Sequence, residues 1–138
     1  MTRYVLDCSV TMAWCFQDES DAYAERALEI AEDRGVVVPS LWPIEVMNTL
    51  VVGERRNRGT REESQEFISL LNDLDIQIDN GRSWPGHEHL LSLAREAGAS
   101  VYDATYLDVS LRHNLPLATN DNRLKKAAQK VKVKLLMV

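Results

Sequence analysis

Short apolar runs alternate along this chain with longer segments of helical periodicity. Residues 4–6 and 36–38 are apolar runs of strand length, and in the segments that follow them apolar residues recur every three or four positions. Strands separated by helices pair in parallel, because each crossover helix returns the chain to the same end of the sheet. The pattern therefore predicts an α/β chain whose mainly parallel sheet carries helices on both faces.

Five strands and seven helices are expected in a single domain of residues 1–138. The strands are predicted at residues 4–6, 36–38, 76–78, 115–118 and 133–138. Ser9, Thr60 and Ser100 are expected to cap helix N-termini, and Gly35 and Gly98 are placed to end helices. The chain contains no linker, repeat or low-complexity tract, so no domain boundary is expected.

The third predicted helix carries Pro43 in its first turn and is rich in apolar residues. Its buried stripe is expected to consist of Ile44, Met47 and Val51, with Val46 and Leu50 beside them.

The formal net charge of −5 argues against a protein that coats nucleic acid by bulk attraction. Positive charge is concentrated locally, however. Arg55, Arg56 and Arg58 follow the third helix and are candidates to bind RNA phosphates. A solvated surface explains such a cluster as well, and we prefer that interpretation slightly.

The N-terminus has no signal-peptide pattern, and no apolar run approaches the roughly 20 residues of a membrane span. The protein is therefore expected to be soluble and cytoplasmic, without a membrane partner. Cys8 and Cys15 do not form a C-x-x-C pair and have no metal-ligand histidines nearby in the chain. They are expected to be reduced core residues.

Four acidic residues occupy equivalent places at the ends of the predicted strands. Asp7 and Asp121 follow strands, while Glu45 and Asp103 lie in the first turns of helices that leave the same edge of the sheet. One such carboxylate has a simple structural explanation, since it offsets the partial positive charge of a helix N-terminus. In a doubly wound sheet, however, ligands bind beyond the carboxyl ends of the strands. All four side chains are therefore expected to face one rim.

Carboxylates that lie close together disfavour one another's ionisation, so they take up protons or bind a cation. Without a metal, the pKa values of such a group are expected to be raised. Oxygen ligands alone favour Mg²⁺ or Mn²⁺ over Zn²⁺. These ions bind through carboxylates, waters and substrate phosphate, which suits hydrolysis of a phosphodiester bond. The sequence leaves open whether one or two ions bind.

Several segments together resemble the PIN domain ribonucleases, specifically the VapC-type toxins of prokaryotic toxin–antitoxin pairs. The matching segments are residues 7–9, 39–48, 102–107 and 118–121. The resemblance covers nearly the whole chain. It implies a three-layer α/β/α sandwich, Mg²⁺-dependent endoribonuclease activity on RNA, a homodimer, and inhibition by a cognate antitoxin that inserts a segment into the active site.

The resemblance also assigns roles to individual residues. It implies that the metal site consists of Asp7, Glu45, Asp103 and Asp121. Ser9 and Thr119 would be hydroxyl groups that support those ligands or position water, and Asn48 matches a position that commonly bears an amide. Asn120 departs mildly from the pattern, since many relatives carry an apolar residue there.

Two other functions remain open at this stage. The main alternative is a PIN-like module that binds protein or RNA without cutting it, and another is a different metal-dependent phosphoesterase. An aspartyl-phosphate protein would need a second acidic residue beside or two places after Asp7, and Cys8 and Ser9 stand there. A dinucleotide-binding domain would need a glycine-rich loop after the first strand, and the first glycine is Gly35.

The remaining polar and aromatic residues are expected to be structural. Asp108 is predicted to lie on the surface, as are the three histidines His87, His89 and His113. The tryptophans are expected in core or interface packing, at positions Trp14, Trp42 and Trp84. The acidic residues Asp18, Glu19 and Asp21 are expected to supply charge at a helix start.

Overall fold

A parallel sheet forms the centre of the computed structural model, which describes residues 2–138. Its strands are β1 (Tyr4–Leu6), β2 (Val36–Pro39), β3 (Ile76–Asp79) and β4 (Leu117–Ala118), in the order β3-β2-β1-β4. Every pairing is parallel, and β1 is paired on both sides. The residues of β1 and β4 are all buried, as are those of β2. This near-continuous apolar character is typical of a parallel sheet covered on both faces.

Seven helices connect and cover the strands within the described residues. They are α1 (Cys8–Cys15), α2 (Ala22–Arg34), α3 (Leu41–Arg55), α4 (Arg61–Asn72), α5 (Glu88–Ala97), α6 (Val101–His113) and α7 (Asn122–Lys130), with a 3₁₀ turn at Gln17–Glu19. None of the helices within residues 2–138 is long and apolar enough to cross a membrane.

Two groups of helices lie on opposite faces of the sheet. Helix α1 packs against α2 and α3, whereas α5 packs against α6 and α7. The chain runs from β1 outward to β3 and then returns to place β4 on the other side of β1. Right-handed crossovers in opposite directions put their helices on opposite faces. The expected three-layer α/β/α sandwich is confirmed.

Several helices begin and end at the residues that local sequence signals predicted. Thr60 and Glu63 form a capping box at the start of α4, and the hydroxyl of Ser100 accepts the Asp103 N–H at the start of α6. Gly35 ends α2 at a φ of 79°, where a Cβ would lie 2.7 Å from the Asp75 carbonyl oxygen. Only glycine fits this close approach without strain.

The expected fifth strand does not form in the part of the chain that the structure describes. Leu135 makes a single parallel bridge to Leu117, held by hydrogen bonds from Leu117 N–H to the Lys134 carbonyl and from Leu136 N–H to the Leu117 carbonyl. Strand β4 contains only two residues, so it offers too short an edge for a longer ladder. The sheet therefore has four strands rather than five.

The buried stripe of α3 is also different from the prediction. Ile44, Met47 and Val51 are exposed, while the buried residues are Trp42, Val46, Leu50 and Gly53. The Trp42 indole N–H donates to the Thr11 hydroxyl at 2.9 Å, which orients the Trp42 face of the helix inward. Because α3 begins at Leu41, Glu45 lies in the second turn rather than the first.

Candidate active site

The strand order reverses between β1 and β4, and β4 is the last strand on that side of the sheet. Both strands point their carboxyl ends to the same edge, since they pair in parallel. Asp7 follows β1 directly and Thr119 follows β4, and the Asp7 N–H donates to the Ala118 carbonyl at 3.2 Å. Reversals of this kind create the crevice where α/β proteins bind ligands.

Asp7, rather than Ser9, is the N-cap of α1. Its Oδ1 accepts the Val10 N–H at 3.0 Å, and Ser9 lies inside the helix. The Ser9 hydroxyl lies 2.8 Å from Oδ1 and 2.9 Å from Oδ2, and the Thr119 hydroxyl donates to Oδ2. The Asp7 side chain is therefore almost completely enclosed, with 4% of the residue exposed.

Backbone groups orient both hydroxyls toward Asp7. The Asn120 N–H donates to the Ser9 oxygen at 2.9 Å, and the Asp121 N–H donates to the Thr119 oxygen at 3.0 Å. A hydroxyl that accepts a backbone N–H has its own proton free to donate elsewhere. Ser9 and Thr119 thus hold the Asp7 carboxylate in one orientation.

Burial raises the pKa of Asp7 from 3.8 to about 6. Hydrogen bonds from Thr119, Val10 and Ser9 oppose the increase, and the negative charge of Asp121 adds to it. Desolvation is the main cause, because it disfavours the charged form.

Glu45 reaches the same edge of the sheet from α3. The hydroxyl of Tyr106, a buried residue of α6, donates to Glu45 Oε1. Partial burial raises the pKa of Glu45, the Tyr106 hydrogen bond lowers it, and the charge of Asp103 raises it again. Tyr106 therefore fixes one oxygen of Glu45.

Asp103 and Asp121 complete the acidic edge. Asp103 lies half-buried in the first turn of α6, and its pKa is raised by burial and then by the charge of Asp121, while Arg123 opposes the increase. Asp121 is exposed and caps α7 by accepting the Arg123 N–H at 2.8 Å. One oxygen of Asp121 is thus already used by its own helix.

The structure brings the four acidic residues into one electrostatically connected group. The charge of Asp121 raises the pKa values of Asp7 and Asp103, and the charge of Asp103 raises the pKa of Glu45. Across residues 2–138, no three His, Cys, Asp or Glu side chains converge closely enough to form a complete metal cage as they stand. The donor set still fits Mg²⁺ or Mn²⁺, since it consists of carboxylates and hydroxyls and these ions keep several waters. The nearest thiol, Cys8, is protonated at neutral pH because burial raises its pKa to about 12.

The other predicted site residues are Asn48 and three arginines. Asn48 is exposed on α3. Arg55 and Arg56 are exposed at the end of α3, whereas Arg58 forms ion pairs with Asp18 and Glu19 at 3.0 and 2.9 Å. Arg58 is thus occupied by structural ion pairs.

The surface assignment of Asp108 was wrong, because only 3% of the residue is exposed. Its Oδ2 accepts the Arg112 Nε–H at 2.9 Å, and Arg112 also donates to both oxygens of Asp79, at 2.7 and 3.0 Å. His113 bonds Asp79 at 2.6 Å and is only partly exposed. The four-residue spacing from Asp108 to Arg112 on a helix is a sequence signal for this ion pair.

The aromatic predictions had mixed outcomes. Trp42 is buried and the indole of Trp14 donates to the Ala24 carbonyl at 2.7 Å, whereas Trp84 is 81% exposed. Tyr106 was not identified as a site residue. It lies three residues after Asp103 on α6, a spacing that places two side chains near one another on a helix and that offered a signal for it.

The comparisons with known proteins agree with this geometry. The family model described as PIN domain matches residues 4–130. The fold is similar to the crystal structure of PAE2754 from Pyrobaculum aerophilum, with a TM-score of 0.71 and 22% identity, covering 97% of this chain and 83% of that chain. A search of curated proteins found no match. PIN domains are generally nucleases and typically use divalent metal ions. With a family match over most of its length and a matching fold, the chain belongs to the PIN domain family.

Proposed function

We propose that this protein is a metal-dependent endoribonuclease that acts as the toxin of a toxin–antitoxin pair. The observation that carries the proposal is the buried Asp7 carboxylate, which hydroxyl groups hold at the strand reversal beside three further acidic residues. A structural role does not require a charge to be buried there at the cost of a raised pKa. A bound cation would offset that cost.

The four carboxylates are the groups that would hold the ion. Asp7, Glu45, Asp103 and Asp121 present oxygen ligands, which suit Mg²⁺ or Mn²⁺. When bound, such an ion activates water and offsets charge on the phosphate oxygens.

The protein's own residues contribute orientation. Ser9 and Thr119 fix both oxygens of Asp7, and Tyr106 fixes one oxygen of Glu45. Side chains that are held before the substrate arrives need no reorganisation during the reaction. The side chains of Asp7 and Glu45 are thus preorganised at the start of α1 and on α3.

Two of the predicted arginines are available to bind RNA. Arg55 and Arg56 lie ten and eleven residues beyond Glu45 on or just after α3, so they are about 15 Å away at 1.5 Å per residue. We propose that an RNA strand bound at the acidic residues extends along α3 to reach these two side chains. They would bind phosphates without reading sequence.

Two protein partners belong to the proposal. The acidic edge would bind a basic segment of a cognate antitoxin, which competes with the metal for the same carboxylates. The exposed apolar residues Ile44 and Met47 on α3 support a homodimer, since such side chains are commonly covered by a partner.

Cleavage of RNA tests the enzymatic proposal. The purified protein without its antitoxin is incubated with total RNA and Mg²⁺ or Mn²⁺, or with EDTA, beside the Asp103→Asn variant. Asp33→Asn is the matched control, since Asp33 is exposed on α2 and pairs with its neighbour Arg34 at 2.9 Å. We expect discrete fragments only with metal, from the wild type and the control but not from Asp103→Asn. Equal inactivity of all three proteins, with retained RNA binding, would support a binding module instead.

A further inference from the structure

The basic residues of this chain are distributed unevenly. Six of the 16 lie in residues 122–138, which contain no acidic residue, and all five lysines of the chain are among these six. Residues 1–121 therefore carry all 21 acidic residues and ten basic ones. An RNA strand is repelled by most of such a molecule, so it is expected to bind where positive charge is concentrated.

Three of these cations form a row on α7, the helix that begins directly after Asp121. Arg123, Lys126 and Lys130 recur at intervals of three and four residues, so their side chains lie on one flank of the helix. All three residues are exposed. We call them the α7 stripe. At 1.5 Å per residue the stripe extends ~10 Å along the helix, away from the acidic edge of the sheet.

One end of the α7 stripe lies at the acidic residues. Asp121 accepts the Arg123 N–H at 2.8 Å, and the positive charge of Arg123 opposes the rise in the pKa of Asp103. At the other end, Lys130 Nζ is 3.0 Å from the point where a Cβ on Gly98 would stand, at the C-terminus of α5. The stripe thus begins at the proposed catalytic site and runs along the side of the molecule.

The α7 stripe does not stabilise its own helix. Arg123 lies in the first turn, where the helix dipole disfavours a cation, and like charges three or four residues apart repel one another. Within residues 2–138, none of the ion pairs involves a residue of the stripe. Helix α2, in contrast, carries both signs of charge on its exposed face. This segregation of positive charge favours an anionic partner.

The chemistry of the α7 stripe fits RNA better than a protein or a membrane. Lysine is depleted in protein–protein interfaces, whose binding energy comes from aromatic and other large anchors, whereas the exposed residues of α7 are all polar. A helix that binds membranes needs a free apolar face. The apolar face of α7 is buried in the protein, at Leu124, Ala127 and Ala128. Lysine is a point charge that suits phosphate groups, and such contacts do not read sequence.

We propose that the α7 stripe binds RNA phosphates on one side of the cleaved bond, while Arg55 and Arg56 bind the strand on the other side. Because α3 and α7 lie on opposite faces of the sheet, the substrate crosses the acidic edge from one face to the other. At ~3.4 Å per phosphate of one strand, the stripe holds about three phosphates. The inference rests on the proposed function only in placing the cleaved bond at the acidic residues, since phosphate binding does not require cleavage.

Lysine-directed acetylation maps this path, because every lysine of the chain lies in residues 125–134. The full chain is labelled in EDTA with and without single-stranded oligouridylate, and mass spectrometry measures the rate at each lysine. At an RNA concentration ~10 times the Kd, acetylation of Lys126 and Lys130 should slow about tenfold, the factor by which free protein is depleted. Lys134 follows α7 in the chain and should keep its rate.

The salt dependence of binding counts the phosphate contacts. Lys126→Gln/Lys130→Gln and the control Arg26→Gln/Arg34→Gln remove the same charge, and the control arginines are exposed on α2. Fluorescence anisotropy in EDTA measures the affinity for the same oligouridylate over about 50–200 mM salt. Loss of two contacts should make the slope of log K against log salt shallower by about 1.4, and the control should leave it unchanged.

A single variant and cleavage kinetics complete the test. Lys130 lies beside α5, so Lys126→Gln alone, with a slope change of about 0.7, keeps the test valid if the double variant does not fold. In the cleavage assay Lys126→Gln should raise KM and leave kcat unchanged, because a phosphate contact away from the cleaved bond binds the substrate and the transition state equally.

The outcomes separate the α7 stripe from the nuclease. Acetylation that RNA slows equally at all lysines or at none, or a slope that changes equally in the control, would overturn the stripe. Tighter binding of an oligoglutamate of equal charge, with protection of the same lysines, would replace RNA by an acidic protein. Protection of Lys126 and Lys130 without metal-dependent cleavage would keep the stripe and reject the nuclease. Cleavage with an unchanged slope and KM in Lys126→Gln would do the reverse.

Discussion

Replacing Asp7 with asparagine is expected to stabilise the folded protein at neutral pH while abolishing the proposed cleavage. The folded state raises the pKa of Asp7 from 3.8 to about 6, mainly through burial. At ~1.4 kcal/mol per pH unit, this difference is worth about 3 kcal/mol. Asparagine has a similar shape and never ionises, so the variant avoids that cost.

The sign of the pH dependence follows from proton binding. Between about pH 4 and pH 6 the folded wild type binds more protons at Asp7 than the unfolded chain does, so its stability decreases as pH rises through this range. Asp7→Asn lacks this contribution. The free energy of unfolding of the variant should therefore decrease by about 3 kcal/mol less than that of the wild type over the same range.

Chemical unfolding of both proteins in EDTA at about pH 4 and about pH 7.5 measures the difference. At ~3 °C per kcal/mol, the melting temperature at neutral pH should be on the order of 10 °C higher for the variant. Added Mg²⁺ should then stabilise the wild type and not Asp7→Asn. If the free energies of unfolding of the two proteins changed equally with pH, the conclusion that the fold buries a charge at Asp7 would be refuted.

Three further perturbations test neighbouring contacts. Tyr106→Phe frees Glu45 Oε1 and should lower RNA cleavage about 10- to 100-fold, as loss of a ligand-orienting group typically does. The control Tyr4→Phe loses a hydrogen bond to the Ala27 carbonyl and should leave cleavage unchanged. Thr119→Val removes the donor to Asp7 and the acceptor of the Asp121 N–H, so urea unfolding should show a loss of about 1–3 kcal/mol. Arg112→Gln should cost about 2 kcal/mol at neutral pH by removing charged hydrogen bonds. The hydrogen bonds from Arg112 are the main cause of the lowered pKa of Asp79. The difference in unfolding free energy between the wild type and Arg112→Gln should therefore shrink as pH falls below about 4. A difference that stays constant with pH would contradict that cause.

Local sequence signals were enough to predict a parallel sheet, four of its five expected strands and most helix ends. Strand β1 ends where the apolar run meets Asp7, and the caps at Thr60 and Ser100 depend on bonds between a side chain and a backbone N–H three residues apart. The same short-range reasoning placed the four acidic residues at one edge of the sheet. A parallel arrangement follows from the order of the elements and needs no knowledge of tertiary contacts.

Long-range contacts explain what the sequence did not reveal. Two apolar sets on α3 fit helical periodicity, and the bond from Trp42 to Thr11, 31 residues away, accompanies burial of the Trp42 set. Asp108 is buried beside Arg112, which also bonds Asp79, 33 residues before it. Tyr106 bonds Glu45 across 61 residues. Thr11, Asp79 and Glu45 all lie too far along the chain to be visible in a local window.

The hydroxyl bonds around Asp7 also determine when the site can exist during synthesis. Asp7 and Ser9 belong to the first part of the chain to be made, yet their partners Thr119 and Asn120 are 112 and 111 residues later. Contacts of such sequence separation form only after most of the chain is available. A growing chain therefore carries Asp7 and Glu45 without Thr119, which donates to Asp7, and without the Asn120 N–H that orients Ser9. The proposed ribonuclease would therefore be inactive while it is still being translated, since its site is complete only after nearly the whole chain has been made.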